Sequence, residues 1–407
     1  MGEILVNAKF LGAGLNGVHR TAAEFTQQLV RRARQPGAQA TARARGTCGH
    51  EENGHTVRLL SPPGAEARAG LTPEVRRGAF GAGQGWEMLT LPRAARGSLL
   101  VNFCNLAPLL HTNSAVMIHD AQTFLYPEDY SGRQARAYRR LLPWIGRRAR
   151  RVLTVSEFAR QSLASFGIAP LDKIDVVHNG TDHLTREAPD PEILRRLGLA
   201  PGSYVLTVGS AKGYKNMRTV FEALRDPLAG GQRLVVAGGP GALAYHDRGW
   251  TPPAHALFSG FVSDAELRAL YAGASAFLFP SLTEGFGLPP VEAMHSATPV
   301  IAAHAGAMPE VCSDGALLVP PEDPQAWREA VDALLSSREL ARHLVARGGQ
   351  RAAQLSWNAA GDRLWQVLEP LVPPTRPATA GKASGRPAYG WDSGGSSLST
   401  SSAISKR

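Results

Sequence analysis

Two successive series of short apolar runs, each alternating with segments of helical periodicity, constrain the fold of this chain more than any other feature. Parallel strands cannot be closed by tight hairpins. They need crossovers, normally helices, and their buried position makes them read as continuous apolar runs. The first series predicts strands at Ile4–Leu11, Thr56–Ser61, Leu99–Cys104, Ala115–His119, Val152–Val155 and Ile174–Val177. The second predicts them at Tyr204–Val208, Arg233–Ala237, Leu257–Phe261, Ala276–Phe279, Pro299–Ala303 and Leu317–Val319. Between the first two runs, Val18 to Arg32 places Ala22, Phe25, Leu29 and Val30 on one helical stripe. A chain of 407 residues also exceeds one ordinary core. The expected class is therefore α/β, with two doubly wound Rossmann-like domains and an interdomain cleft at the carboxyl ends of their strands.

The breaker-rich stretch Asn179–Pro191 separates the two series, giving a first domain over residues 1–185 and a second over 186–356. Residues 35–54 are too long for an ordinary helix-to-strand loop and read as a flexible insertion. Residues 373–407, rich in Pro, Gly and Ser, read as a disordered tail. No apolar run approaches the roughly 18 residues of a spanning helix, and Met1 leads directly into a strand rather than a signal peptide, so a cytoplasmic location is expected. Cys48, Cys104 and Cys312 lack paired spacing and read as reduced thiols. Cys48, His50 and His55 are scattered donors without a fourth, so no metal site is expected there.

A net charge of +10 points to nucleic acid, anionic lipid or a phosphorylated ligand. Part of the excess is concentrated in 138–151, where six arginines alternate with Leu141, Leu142, Trp144 and Ile145. Two readings are open for this helix. It lies peripherally on an anionic membrane, or it packs its apolar side on its own domain and leaves the arginines solvated.

The most informative local pattern is Phe279-Pro-Ser-Leu-Thr-Glu284-Gly-Phe-Gly287-Leu-Pro-Pro-Val-Glu292-Ala-Met. Two carboxylates eight residues apart flank a glycine-rich turn that follows a strand and opens a helix. Gly285 and Gly287 let the backbone approach a ligand, and the free N–H groups at the start of the helix can hold a phosphate. Glu284 can accept hydrogen bonds from sugar hydroxyls, and Glu292, a turn into the helix, can grip a ribose diol. Three other strand ends carry candidate chemistry. The loop Gly12–Arg20 can bring amides near Gly17 against a diphosphate, Ser114–Asp120 delivers His119 to the cleft, and Val208–Asn216 carries Ser210, Lys212 and Lys215.

The stretch Thr-Glu-Gly-Phe-Gly-Leu-Pro-Pro-Val-Glu-Ala-Met resembles the E-x7-E signature of glycosyltransferase family 4, retaining enzymes of the GT-B fold. Asn16-Gly17-Val18-His-Arg20 resembles a subgroup with Gly-Val-x-Arg in the first loop, although Asn16 stands where the commoner pattern has the first of two glycines. Ile118-His119-Asp120, Lys215-Asn216, Val152–Arg160, His178-Asn179-Gly180, Gly260–Leu267, Pro299–Ala302 and Met308–Val311 extend the resemblance over about residues 3 to 371. It implies that the first domain receives the acceptor and that 357–372 forms a helix crossing back to that domain. His119, Lys215 and Glu284 are implied as catalytic, with His119 on donor sugar hydroxyls and Lys215 on the diphosphate. Gly17, Ser210, Lys212, Phe286, Gly287, Leu288 and Glu292 are implied to bind donor and nucleotide, and Gly260 and Val262 to hold the base through backbone groups. Many members carry Arg where Ser210 stands, which leaves two readings: Lys212 supplies that charge, or the clamp is weaker here.

The resemblance further implies a retaining hexosyl transfer, mannosyl or glucosyl, from a nucleotide sugar to a glycan or lipid-linked acceptor in surface polysaccharide assembly. No Asp-x-Asp is present, so neither a metal nor another cofactor is expected. A dehydrogenase or epimerase is the rival within enzymes. Gly12-Ala-Gly14-Leu-Asn-Gly17 has the letters of a dinucleotide fingerprint, but Leu60-Ser61-Pro62 puts no acidic residue at the end of the second strand. A nucleic-acid-binding protein is the rival outside them, and the arginines gather on one amphipathic helix instead of a readout motif.

Overall fold

Every strand in both series runs parallel to its neighbours. The computed structural model describes residues 2–14, 17–34, 55–68, 70–78 and 81–374. The insertion expected at 35–54 and all but the first residues of the tail expected at 373–407 lie outside them.

The first sheet contains β1 (Glu3–Asn7), β2 (Thr56–Ser61), β3 (Glu74–Val75), β4 (Leu99–Asn102), β5 (Ser114–Met117), β6 (Arg151–Thr154) and β7 (Ile174–Val176), in the order β3-β2-β1-β4-β5-β6-β7. The second contains β8 (Tyr204–Val208), β9 (Arg233–Ala237), β10 (Ala256–Gly260), β11 (Ala276–Phe279), β12 (Val300–Ala303) and β13 (Ala316–Val319), in the order β10-β9-β8-β11-β12-β13. Two Rossmann-like domains result. In each sheet the winding reverses beside the first strand, between β1 and β4 and again between β8 and β11. Loops leaving adjacent strands there diverge to opposite faces and open a crevice, which is where sheets of this kind bind ligands.

Burial explains the strand positions. Ile4, Leu5 and Val6, Val205 and Leu206, and the whole of Ala276–Phe279 are inaccessible or nearly so, as expected for strands covered on both faces. The first predicted strand overran its end. Lys9–Gly12 is a 3-10 turn whose Phe10 and Leu11 are buried, so apolar character continued after the extended backbone had stopped. β3 was not anticipated, being two exposed edge residues with no apolar run.

The arginine-rich helix also needs correction. It spans Gly132–Arg148, while Arg150 lies beyond it and Arg151 belongs to β6. Leu142 and Ile145 are buried in the domain core and Leu141 is partly covered, leaving Trp144 as the exposed apolar residue, at 58%. The terminal helix, Trp357–Leu368, packs along Gly17–Ala33 of the first domain.

Candidate active site

Loops from both crevices converge on a cleft of about 320 Å³ between the domains. From the first domain come Gly17, Arg20, His119 and Asp120. From the second come Lys215, Asp264, Glu284, Phe286, Gly287, Leu288 and Glu292. Eight of the sequence-predicted residues thus share one cavity: Gly17, His119, Lys215, Glu284, Phe286, Gly287, Leu288 and Glu292. Ser210, Lys212, Gly260 and Val262 do not line it. They stand at or just beyond the carboxyl ends of β8 and β10.

Lys215 follows β8 and Glu284 follows β11, and the ammonium meets the carboxylate at 2.6 Å. Asn216 fixes this approach. It adopts a left-handed backbone, φ 53°, which Asn tolerates better than most residues, and its amide donates to the carbonyls of Pro280 at 3.1 Å and Pro321 at 2.6 Å. The loop after β8 is thereby tied to the loop after β11.

The turn Glu284–Gly287 is set by packing. A Cβ on Gly285 would lie 2.2 Å from the His119 carbonyl oxygen, and one on Gly287 would lie 2.3 Å from Met308 Cε. Gly287 also has φ 85°. The sequence reading assigned these glycines to close approach of a ligand. Protein fills the side of each where a Cβ would stand, so Gly285 lets the loop dock on the end of the first domain's β5, while both glycines also line the cleft. Ser156 Oγ locks that dock by donating to the Gly285 carbonyl at 2.5 Å. Among the described residues nothing lies within 4 Å of a Cβ on Gly17, so none of them closes the cleft there. Pro289 and Pro290 have no N–H, which leaves Gly287 and Leu288 as the amide donors of the helix start.

His119 donates Nε2–H to the Phe103 carbonyl at 2.8 Å, which leaves Nδ1 as an acceptor. Burial pushes its pKa down to about 4, against the opposing effect of that bond, so the ring is neutral near pH 7. A neutral ring with a free acceptor suits a hydroxyl partner. Beside it, burial and the Glu284 carboxylate push Asp120 up to about 6, although the Gln122 N–H, Lys212 and Lys215 pull the other way. Glu292 is buried. It accepts the Tyr271 hydroxyl at 3.2 Å, and His183 Nε2 stands 3.4 Å away.

Residues at the cleft and at the domain contact were not all found by sequence reasoning. Arg20 makes a bidentate pair with Asp264 across the cleft, at 2.5 and 2.7 Å. Glu310 of the second domain accepts the Glu157 N–H at 2.9 Å and the Phe158 N–H at 3.2 Å, capping the first-domain helix Glu157–Ser165, and takes His178 Nε2 at 2.7 Å. Arg20 and Glu310 both lie in segments that carried the family resemblance, and that was the available signal.

A second cavity, about 380 Å³, opens at the crevice of the first sheet. Its floor holds Asn7, Lys9 and Glu87, with Glu87 accepting Asn7 Nδ2 at 2.8 Å and Lys9 Nζ at 2.9 Å, and Phe10, Pro62 and Leu106 form walls. The start of the helix Gly17–Ala33 borders both cavities, with Gly17, Val18 and Arg20 on the cleft and His19 on this one.

Residues 15–183 match the family described as Glycosyltransferase Family 4, and residues 192–351 match Glycosyl transferases group 1. The chain is 31% identical over 231 residues to the O-antigen chain mannosyltransferase RfbU of Salmonella typhimurium, covering 55% of this chain and 61% of that protein. It is 30% identical over 257 residues to the O-antigen chain mannosyltransferase B of Escherichia coli, covering 59% and 65%. The matches thus span about three-fifths of the length of these relatives. Among solved structures, sucrose-phosphate synthase of Thermosynechococcus elongatus superposes with a TM-score of 0.66 at 19% identity, covering 91% of this chain and 98% of that one. HepE of Anabaena, in complex with UDP and glucose, gives 0.66 at 17%, covering 91% and 100%. At these identities the structures establish the fold.

Proposed function

The chain belongs to the family 4 and group 1 glycosyltransferases, and from that premise we propose that it transfers a hexosyl unit, mannosyl or glucosyl, from a nucleotide sugar with retention of anomeric configuration. The observation that carries this reading is the convergence of His119, Lys215 and Glu284 in one interdomain cleft. Lys215 meets the diphosphate and stabilises the charge that develops as the nucleotide leaves. The Gly287 and Leu288 amides and the open face at Gly17 accommodate the same group. His119 Nδ1 and Glu284 accept donor hydroxyls and orient the sugar. On the face from which the diphosphate departs, the acceptor oxygen bonds to the anomeric carbon as the bond to phosphate oxygen breaks, and the acceptor proton passes to that phosphate oxygen. Ser210, Lys212, Gly260 and Val262, beside the cleft, are proposed to hold the rest of the nucleotide.

The cavity in the first domain is the proposed acceptor site, for a glycan or lipid-linked acceptor in surface polysaccharide assembly, as the named roles of the O-antigen relatives support. Among the described residues no helix is long and apolar enough to cross a membrane. Peripheral contact at a cytoplasmic membrane face is proposed through Trp144 and the exposed arginines of Gly132–Arg148, since each cationic side chain near anionic lipid contributes on the order of 1 kcal/mol. Vesicle sedimentation checks this: binding should require anionic lipid and weaken with salt, and equal binding to neutral vesicles would refute it.

Incubation with a panel of nucleotide sugars tests the activity. We expect one donor to release nucleoside diphosphate without added metal, and the glycoside product to keep the donor's anomeric configuration by NMR. Conversion of one nucleotide sugar to another without diphosphate release would identify an epimerase instead.

A further inference from the structure

The turn that carries Lys215 is held from the other domain. Asp129 ends a 3-10 turn, Pro127–Asp129, in the segment after β5, and its side chain has no exposed surface. Its Oδ1 accepts the Gly213 N–H at 2.7 Å and its Oδ2 the Tyr214 N–H at 2.9 Å, while Arg248 donates to Oδ1 at 3.3 Å. Glycine at 213 permits this approach, because a Cβ there would stand 3.3 Å from Oδ2. The neighbouring Tyr130 places its ring 4.6 Å from the Lys212 ammonium and donates its hydroxyl to Gln122 at 3.0 Å. Gln122 in turn donates to the carbonyl of Thr283, beside Glu284, at 3.3 Å. A short first-domain segment, Gln122–Tyr130, therefore holds both second-domain loops whose side chains, Lys215 and Glu284, pair at 2.6 Å.

Burying a carboxylate is costly, and an apolar side chain could join two loops more cheaply. What the carboxylate adds is direction. Two N–H bonds from successive residues fix the turn Gly213–Lys215 in orientation as well as position, and so aim the Lys215 side chain. Asp129 does not line the cleft, so any effect on chemistry must pass through that turn.

We propose that Asp129 is a positioning residue: with the domains together, it holds the Gly213–Lys215 turn so that the Lys215 ammonium stands where charge develops on the leaving diphosphate. This rests on the nucleotide-sugar reading above. It makes the leaving-group site complete only when the first domain is in place.

The test compares nucleoside diphosphate release by the wild-type chain, Asp129→Ala, Asp129→Asn, Lys215→Ala and the two double variants. Asp129→Ala should lower kcat by roughly tenfold or more in protein that is still folded at the assay temperature, since a misplacement of about 1 Å can cost up to a hundredfold. Asp129→Asn should lose less, because its amide oxygen still accepts one N–H. In the Lys215→Ala background either Asp129 substitution should change kcat by less than about twofold, a non-additivity that a merely structural role would not give. An equal fold-loss in both backgrounds, or unchanged kcat in folded Asp129→Ala, would overturn the proposal. Should Asp129→Ala fail to fold, the Asn single and double variants decide by the same comparison. A wild-type chain that releases no nucleoside diphosphate from any donor would overturn the functional reading, and this proposal with it.

Discussion

His119 and Asp120 are adjacent, face one cleft and respond to burial in opposite directions. For His119, burial lowers the pKa from 6.5 to about 4, so its stabilising contribution is present above pH 6.5 and is lost as pH falls through 4. For Asp120, burial raises it from 3.8 to about 6, so its contribution is present below pH 3.8 and is lost as pH rises through 6. The two slopes oppose each other in the same window. Stability of the wild-type chain should therefore vary little between pH 4 and 6 on their account. His119→Gln should leave the Asp120 slope, with stability falling as pH rises, and Asp120→Asn should leave the opposite slope. Urea denaturation at several pH values reads both, and slopes of the same sign in the two variants would refute these environments. The identity of His119 as a strand-end residue was legible because Ser114–Ile118 is a continuous buried run. Its tautomer was not, because it depends on the Phe103 carbonyl, which the sequence gives no reason to place there, and neither was its neutrality, which comes from burial in spite of that bond.

Among elements, the helix Trp357–Leu368 bears most directly on how the domains are joined. Trp357 is buried edge-on against Phe25 with ring centroids 5.2 Å apart, its amide donates to Asp182 at 2.6 Å, and its indole donates to His183 Nδ1 at 3.2 Å. His183 faces Glu292, so the helix supports the second glutamate of the site from behind. A Cβ on Gly180 would stand 2.1 Å from the Trp357 nitrogen. Trp357→Ala should cost about 3–5 kcal/mol and Gly180→Ala about 1–3 kcal/mol, whereas Trp144→Ala, on the exposed face, should stay within roughly 0.5 kcal/mol. Denaturant midpoints check this, and a Trp357→Ala no worse than Trp144→Ala would contradict it. Thr56–Ser61, Tyr204–Val208, Arg233–Ala237 and Ala276–Phe279 have the same bounds in sequence and structure, because each is built on a short apolar run, and Ala276–Phe279, buried throughout, is apolar from end to end. The arginine-rich helix was ambiguous for the converse reason. Amphipathic periodicity records that one side is covered without saying by what.

Across the whole molecule, the two domains meet through partners far apart in the chain: Arg20 with Asp264, Ser156 with Gly285, Glu310 with the amides of Glu157 and Phe158, and Asp129 with those of Gly213 and Tyr214. Such contacts have no periodicity and could not be read from the sequence. The strand-end residues they bring together could, since each follows an apolar run and a glycine or a charged side chain marks the turn. Both cations lining the cleft, Arg20 and Lys215, are paired with carboxylates, so a bound diphosphate would compete with Asp264 and Glu284 for them. Lys215 is the cation on which the proposed stabilisation of the leaving group depends. The most direct measurement is nucleoside diphosphate release by Lys215→Ala against the wild-type chain, with folding of the variant verified by its melting temperature. A loss of about a hundredfold or more in kcat is predicted, the scale of removing one group that stabilises developing charge. Full turnover by the folded variant would contradict it.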